Sequence, residues 1–430
     1  MNRNPSMVRW RVLSILVLVS FCAYVLRSNL SLAPQAMMSD LGLTEVQWGW
    51  VMAAFPLGYA LFQFPGGVFA DRIGPRRAIA LIAVLWGLLT VATTLVPGPG
   101  TASAGVIIAS LVAVRFLVGV VQAPIFPAIN SAVQRWFPVG QWAFPTGLSS
   151  TGLTLGYAAT APVLTWLVIE FGWRVAFNVL APFAFLVAAS WWWYGRDKPE
   201  QHAAVNAAEI ELIRAGKKPS VEAGEGPPAW LRVLKNRDVL LLTLSYGCMQ
   251  FVFYDVFSWF FYYLSSVRGF EPQTAGWVVS SQWVAGGVGA ALGGWVCDRM
   301  CRRIGLRWGC RWPVLVGMVL SGLLLIGGTF TGHAQLAVAM FVLCFFFNQV
   351  TEGGYWSVSI AVGGEHAGAA GGVLNTGGNA MGVVNALLVP VVAGTLGWSV
   401  AMSLGGVLAL LGAMLMLWVR ADRPFDAAQG

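Results

Sequence analysis

The chain has 430 residues, of which 57% are hydrophobic and only 10% are charged, and its formal net charge is +8. Soluble proteins carry about 25% charged residues, so this chain holds more apolar side chain than a water-facing fold buries, and a soluble multidomain protein is excluded. Because a membrane-spanning helix needs about 20 apolar residues, the composition predicts an all-α membrane protein that crosses the bilayer many times.

Apolar runs separated by polar, proline or glycine residues predict twelve spanning helices. The first run follows Arg3, Arg9 and Arg11 and is longer than the core of a signal peptide, so it is interpreted as a helix that stays in the protein. The predicted spans are 10–33, 46–70, 78–97, 103–128, 140–169, 174–195, 238–265, 273–297, 312–331, 334–361, 367–394 and 397–419.

A polar stretch between the sixth and seventh spans divides the predicted helices six and six. It predicts an N-terminal bundle at 1–195, a cytoplasmic linker at 196–237 with a short surface helix at about 203–214, and a C-terminal bundle at 238–430. Just before the linker, the three tryptophans at 191–193 are expected to lie in the aromatic belt at the membrane surface.

The positions of the basic residues predict the orientation in the membrane. With both termini in the cytoplasm, every Lys and Arg falls in a cytoplasmic segment except Arg27, Arg115, Arg174 and Arg268. This asymmetry follows the positive-inside rule and predicts a multi-pass protein of the bacterial inner membrane. The basic residues form no surface stripe with stacking aromatics, so the lipid bilayer is an expected partner and nucleic acid is not.

A short pattern occurs once in each half of the chain. After the second span, Gly67 stands four residues before Asp71 and Arg72, and the same Gly-x-x-x-Asp-Arg pattern recurs at 294–299 after the eighth span. A recurrence at the corresponding loop of each half indicates an internal repeat.

The loop at 67–77 and the segments at 24–31 and 115–128 resemble the major facilitator superfamily, and within it the anion:cation symporter family. The resemblance covers the whole chain. It implies two pseudo-symmetric six-helix bundles that transport organic anions with protons by alternating access. Leu26 and Gln122 stand where members of that family commonly carry Asp and Glu, and neither side chain titrates.

Four ionisable residues lie well inside predicted spans: Arg27, Arg115, Asp255 and Glu352. A charge there costs about 2.5 to 3.5 kcal/mol on insertion scales, so each needs a partner or an aqueous cavity. The resemblance implies that their four helices line a central cavity. We hypothesise that Arg27 binds a substrate carboxylate through two hydrogen bonds and that Asp255 or Glu352 carries a proton. A structural hydrogen-bonding role for Arg115, and a structural interhelical pair for the acids, are the alternatives.

Hydroxyl, amide and aromatic side chains around these charges suit a sugar acid. The predicted substrate site comprises Arg27, Tyr24, Tyr59, Arg115, Gln122, Trp356, Asn375 and Asn379. The predicted conformational-switch loops comprise Gly67, Asp71, Arg72, Arg76, Asp298 and Arg299. Paired glycines within the spans, such as those at 286–287 and 293–294, predict close contacts between helices or hinges for a rocking motion.

Together these features predict a secondary transporter that takes up a small organic anion, such as a sugar acid, hexuronate or related carboxylate, with a proton. Exchange or uniport without a proton, and proton-driven export of a neutral or hydrophobic solute, are the alternatives. No enzyme is expected, since no nucleophile with a matching base is present. No cofactor or metal is expected, because Cys297, Cys301 and Cys310 lack the usual zinc spacing and a nearby His. One chain contains both halves of the pathway, so a monomer suffices.

Overall fold

The computed structural model describes residues 4–138, 143–214, 236–363 and 367–420, which form helices and no β-strand. The helices of the first half are α1 (Val8–Arg27), α2 (Pro34–Leu41), α3 (Glu45–Ile73), α4 (Pro75–Thr94), α5 (Ala104–Gln122), α6 (Ile125–Trp136), α7 (Ala143–Tyr194) and α8 (Ala207–Arg214). The helices of the second half are α9 (Arg237–Tyr254), α10 (Pro272–Ile304), α11 (Leu306–Phe330), α12 (Ala334–Val350), α13 (Glu352–Gly363), α14 (Ala367–Leu396) and α15 (Trp398–Trp418).

Nine helical segments of these described ranges are long and apolar enough to cross a membrane. The longest, Gly147–Tyr194, is interrupted at Gly172, whose φ of 78° and ψ of 160° lie outside the helical region. The prediction of an all-α, multi-pass membrane protein is therefore confirmed. The number of twelve spans and the cytoplasmic position of both termini stay predictions.

Two of the predicted spans are each divided into two helices in the structure. The predicted span 103–128 corresponds to α5 and α6, which are divided at Pro124, a residue without a backbone N–H. The predicted span 334–361 corresponds to α12 and α13, which are divided at Thr351. The Thr351 hydroxyl donates to the Asn348 carbonyl at 2.6 Å, so it competes with the backbone for that acceptor.

Contacts between residues divide the chain into two compact units. Unit 1 comprises Met1–Asn29 and Leu61–Gly224, and unit 2 comprises Leu30–Ala60 and Glu225–Gly430. Helix α3 therefore contributes its first part to unit 2 and its second part to unit 1. The predicted domain limits at 195 and 237 stay a prediction.

Glycines bring helices into backbone contact within unit 1. A Cβ atom added at Gly152 would lie 2.6 Å from the Val17 carbonyl oxygen, and one at Gly156 would overlap the carbonyl oxygen of Phe21. Both glycines lie on α7 one turn apart, so α7 packs directly against the backbone of α1. This packing fixes the position of the last turn of α1, which carries Arg27.

In unit 2, glycines likewise bring α10 and α12 into close contact. A Cβ at Gly286 would lie 2.5 Å from the ring of Phe345, and Cβ atoms at Gly289 and Gly293 would overlap the backbone of α12. The prediction of close helix contacts at Gly286 and Gly293 is confirmed, because only glycine leaves room for the neighbouring helix.

The segment after α7 confirms one prediction and corrects another. Helix α8 lies within the predicted surface helix at 203–214. Trp191, however, is fully buried and donates its indole N–H to the Pro75 carbonyl at 3.2 Å, so it belongs to the core of unit 1. The belt prediction is wrong for Trp191, whereas Trp192 and Trp193 are 50% and 78% exposed.

Candidate functional site

Arg27 lies in the last turn of α1 and is buried, with 5% of its surface exposed. Its Nη1 donates to the Tyr24 hydroxyl at 3.3 Å, and its guanidinium carbon lies 5.2 Å from the centre of the Tyr24 ring. The ring and the hydroxyl therefore orient the guanidinium from one side. Tyr24 and Arg27, two of the predicted substrate residues, are therefore in direct contact.

Arg115 is another buried cation of unit 1. It lies on α5 with 2% of its surface exposed, and it is close enough to Arg27 for the two positive charges to repel each other. Gln122, also on α5, donates through Nε2 to the Ala23 carbonyl of α1 at 3.3 Å. We call Arg27, Arg115, Tyr24 and Gln122 the arginine cluster, in which like charges from two helices make a site of positive potential.

Glu352 begins α13 in unit 2 and is partly exposed. Its Oε1 accepts hydrogen bonds from the Trp356 indole N–H at 2.7 Å and from the Tyr246 hydroxyl at 3.1 Å. The Tyr246 hydroxyl in turn accepts from Gln250 Nε2 at 3.1 Å. These four residues are the glutamate cluster, in which a carboxylate receives two donors while part of its side chain stays accessible.

Asp255 is completely buried, at the point where the helical path continues from α9 through the π-helical turn Asp255–Trp259. Its Oδ1 accepts from Asn385 Nδ2 on α14 at 2.6 Å. Its Oδ2 has no hydrogen-bond partner among the described residues and contacts the position of Gly405 on α15. Asp255 is thus sealed inside unit 2.

The remaining predicted substrate residues fall into two places, both in unit 2. Asn379 on α14 accepts from the Tyr254 hydroxyl at 2.9 Å and donates to the Asn375 carbonyl at 2.8 Å, which links α14 to the end of α9. Tyr59 on α3 is buried and its ring centre lies 5.8 Å from that of Phe55.

The first switch loop has a defined structure around Arg76. The backbone N–H of Arg76 donates to Asp197 Oδ1 at 2.9 Å, and the Arg76 guanidinium donates to the Trp192 carbonyl at 2.7 Å. Gly74, with a φ of 82°, turns the chain where a side chain would overlap the Asp197 carboxylate. The loop is therefore joined to the end of α7.

The prediction that the other switch residues lie in loops is wrong, because α3 extends through Arg72 and α10 extends through Arg299. A Cβ at Gly67 would meet Pro127 at an ordinary 3.7 Å, whereas one at Gly66 would meet Pro124 at 3.0 Å, so the tight position is the neighbouring glycine. Arg72, Asp298 and Arg299 are exposed. The side chain of Asp71 lies outside the described part of the structure.

Sequence reasoning did not select Tyr246, Gln250 or Tyr254, nor Asn385, the partner of Asp255. The first three recur every four residues on α9, and this spacing places them on one face of a helix. A search for polar and aromatic residues at that spacing in an apolar run would have found this face.

Comparisons with known proteins agree with this architecture. The sequence profile of the Major Facilitator Superfamily matches residues 16–306 and 271–430. The chain is 32% identical to a probable sulfoacetate transporter of Cupriavidus necator, across 98% of this chain and 96% of that protein. It is 31% identical to a probable galactarate/D-glucarate transporter of Bacillus subtilis (94% and 89% covered) and 29% identical to a hexuronate transporter of that species (96% and 94% covered).

A solved structure shares the fold. The chain superimposes with a TM-score of 0.77 on a bacterial homolog of the human lysosomal transporter Spinster in an inward-facing and occupied conformation. The two chains are 18% identical, and the superposition covers 97% of this chain and 98% of the other.

Proposed function

The chain belongs to the Major Facilitator Superfamily and is a multi-pass transporter of the bacterial inner membrane, not an enzyme, and we propose that it takes up a small organic anion by alternating access. The arginine cluster carries this proposal. Two guanidinium groups buried in one unit concentrate positive charge, and a guanidinium binds a carboxylate or sulfonate through paired hydrogen bonds. Arg27 is the residue we assign to the anionic group of the substrate.

The names of the relatives suggest a small number of candidate substrate classes. The curated relatives are named as transporters of sulfoacetate, of galactarate and glucarate, and of hexuronates. A sugar acid or hexuronate is the first candidate, because hydroxyl and amide groups of this chain suit a polyol. Sulfoacetate is the second candidate, since its two anionic groups match two neighbouring guanidinium groups.

Uptake into proteoliposomes tests the anion site. Radiolabelled glucarate, galacturonate and sulfoacetate are compared in the wild type and in Arg27→Ala. We expect the transported anion to lose at least about 10-fold in apparent affinity, because a hydrogen bond to a charged group contributes about 1.5 to 3 kcal/mol.

Arg11→Ala is the matched control, because Arg11 is an exposed arginine on the same helix. We expect its uptake to equal that of the wild type. Unchanged uptake of the transported anion by Arg27→Ala would reject the anion site.

We further propose that the anion enters with a proton and that Glu352 carries it. Glu352 is the less buried of the two acids, and its carboxylate accepts hydrogen bonds from Tyr246 and Trp356 in the glutamate cluster. Asp255 is fully buried against Asn385, an arrangement suited to a structural role. Leu26 and Gln122 of unit 1 have side chains that do not titrate. A proton carrier in unit 2 is therefore consistent with the sequence.

Amide variants separate the two acids. Accumulation driven by an inward proton gradient is expected to fall to the equilibrium level in Glu352→Gln, while exchange of internal for external substrate continues. Asp255→Asn is expected to keep gradient-driven accumulation. If substrate accumulation in vesicles with the wild-type protein does not depend on the pH gradient, exchange or uniport is indicated instead.

A further inference from the structure

Three of the six cysteines lie together where α10 meets α11. Cys297 and Cys301 are one helical turn apart on α10, and Cys310 lies near the start of α11. The Sγ atom of Cys310 lies 3.2 Å from that of Cys297 and 3.1 Å from that of Cys301, and the other two Sγ atoms are 4.0 Å apart. All three are free thiols.

The backbone brings these thiols together through two glycines. Gly305 turns the chain between the two helices with a φ of 81°. Four residues later, a Cβ at Gly309 would overlap the backbone of Cys301, so α11 starts in contact with the end of α10. Cys297 and Cys310 are at most 1% exposed, while Cys301 lies at the rim with intermediate exposure. The three sulfur atoms therefore line a small pocket that is open on the side of Cys301.

We propose that Cys297, Cys301 and Cys310 form a thiolate site for one Zn²⁺ ion. Thiolates are soft ligands that select zinc and similar thiophilic cations over magnesium or calcium. Zinc–sulfur bonds of about 2.3 Å in a tetrahedral site place ligand sulfurs about 3.8 Å apart, within the range of the three observed separations. Small shifts of the side chains therefore admit the ion.

The surroundings supply the rest of the site. Basic residues at 299, 303 and 307 lie in the same segment, but the carboxylate of Asp298 lies beside Cys297 and Cys301, so the ion itself has to stabilise the thiolates. The Ser357 hydroxyl, which lies near Cys297, or a water molecule fills the fourth position. On binding, three S–H groups release their protons to solvent, three zinc–sulfur bonds form, and no electron is transferred.

The ion would join the end of α10 to the start of α11. Asp298 and Arg299 of the second Gly-x-x-x-Asp-Arg pattern follow directly after the first ligand, near the end of α10. Zinc would therefore restrict the segment that the sequence identifies as a conformational switch. The site does not depend on which anion the protein carries.

Cadmium titration of the purified, reduced, full-length protein tests the site. We expect the ultraviolet charge-transfer absorption of cadmium thiolates to saturate at one ion per chain and to disappear on competition with zinc. Cys301→Ala is the principal variant, because Cys301 is the least buried ligand. This variant should lower the affinity for cadmium at least about 100-fold. Removing a residue that only hydrogen-bonds to a metal ligand already costs up to about 100-fold in metal affinity, and Cys301 is itself a ligand.

Cys22→Ala removes a buried thiol of unit 1 and is the control, for which we expect wild-type cadmium binding. Zinc should also raise the unfolding temperature of the wild type and of Cys22→Ala but not of Cys301→Ala. Absence of thiolate absorption in the wild type would overturn the proposal. A disulfide to Cys310 in protein purified without oxidant, detected as a loss of two hydrogens by mass spectrometry, would overturn it as well.

Discussion

Gly156 is the single residue on which the contact between α7 and α1 depends most directly. In Gly156→Ala the new methyl group overlaps the Phe21 carbonyl oxygen, so α1 has to move away. Overpacking of this kind costs about 1 to 3 kcal/mol. We expect a lower unfolding temperature of the purified protein and reduced uptake, because Arg27 lies on the displaced part of α1.

Gly147→Ala provides the control on the same helix, because a Cβ there meets nothing within 4 Å. Alanine is favoured over glycine inside a helix by about 0.5 to 1 kcal/mol. We therefore expect Gly147→Ala to unfold at the wild-type temperature or above it. If both alanine variants unfold alike, the backbone contact at Gly156 does not limit stability.

The charged residues of the site were recognisable in the sequence, but most of their partners were not. A lone Arg, Asp or Glu in an apolar run is conspicuous because its burial is costly. The partners come from distant helices: Asn385 lies 130 positions from Asp255, and Tyr246 lies 106 positions from Glu352. Tyr24, one turn before Arg27, and Trp356, one turn after Glu352, were within reach of local reasoning.

At the scale of elements, α8 provides the cap for the first turn of α1. The Glu209 carboxylate accepts from the backbone N–H groups of Val8 at 3.0 Å and Arg9 at 3.1 Å, and from the Ser6 hydroxyl. It also pairs with the Arg9 guanidinium at 3.1 Å. The first N–H groups of a helix lack partners within it, so a carboxylate from a distant segment satisfies them.

This cap predicts a pH-dependent stability. Burial alone raises the pKa of Glu209, but hydrogen bonds from Ser6, Arg9 and Val8, with the charge of Arg9, lower it below its usual value. A lowered carboxyl pKa stabilises the fold at neutral pH, and this contribution is lost as the pH falls through the lowered pKa. We expect Glu209→Gln to lose about 1 to 3 kcal/mol at pH 7, as measured by thermal unfolding.

The difference between the wild type and Glu209→Gln should vanish at an acidic pH below the lowered pKa of Glu209, where the wild-type carboxyl is protonated too. Glu211→Gln is the control, because Glu211 lies on the same helix with an exposed side chain. It should unfold like the wild type at both pH values. If Glu209→Gln is still less stable than the wild type at low pH, the loss of stability is due to the shape of the side chain and not to its charge.

At the scale of the whole molecule, hydropathy predicted where apolar helices occur but not where they break. Breaks at Pro124 and Thr351 fall inside predicted apolar spans, so a search for apolar runs misses both, whereas the break at Gly172 lies between two predicted spans. The division into two units was also only partly visible, since the segment Leu30–Ala60 is assigned by its contacts to unit 2. Such contacts are not encoded in local patterns.

The orientation of the whole chain can be tested by labelling single introduced cysteines. Thr101 lies in the exposed loop between α4 and α5, which carries no basic residue, and Ala204 lies exposed just before α8. Because Lys and Arg remain on the cytoplasmic side, we expect a membrane-impermeant maleimide to label Thr101→Cys on intact cells. It should label Ala204→Cys only after the cells are made permeable.

The native cysteines do not obscure this result, because five of the six are buried and Cys301 is replaced by alanine in both variants. Labelling without the introduced cysteine gives the background. Labelling of Ala204→Cys on intact cells, with Thr101→Cys protected, would place the charged linker outside. That outcome would invert the direction assigned to every loop, because a helical membrane chain cannot reverse one span without leaving a polar segment in the hydrocarbon layer.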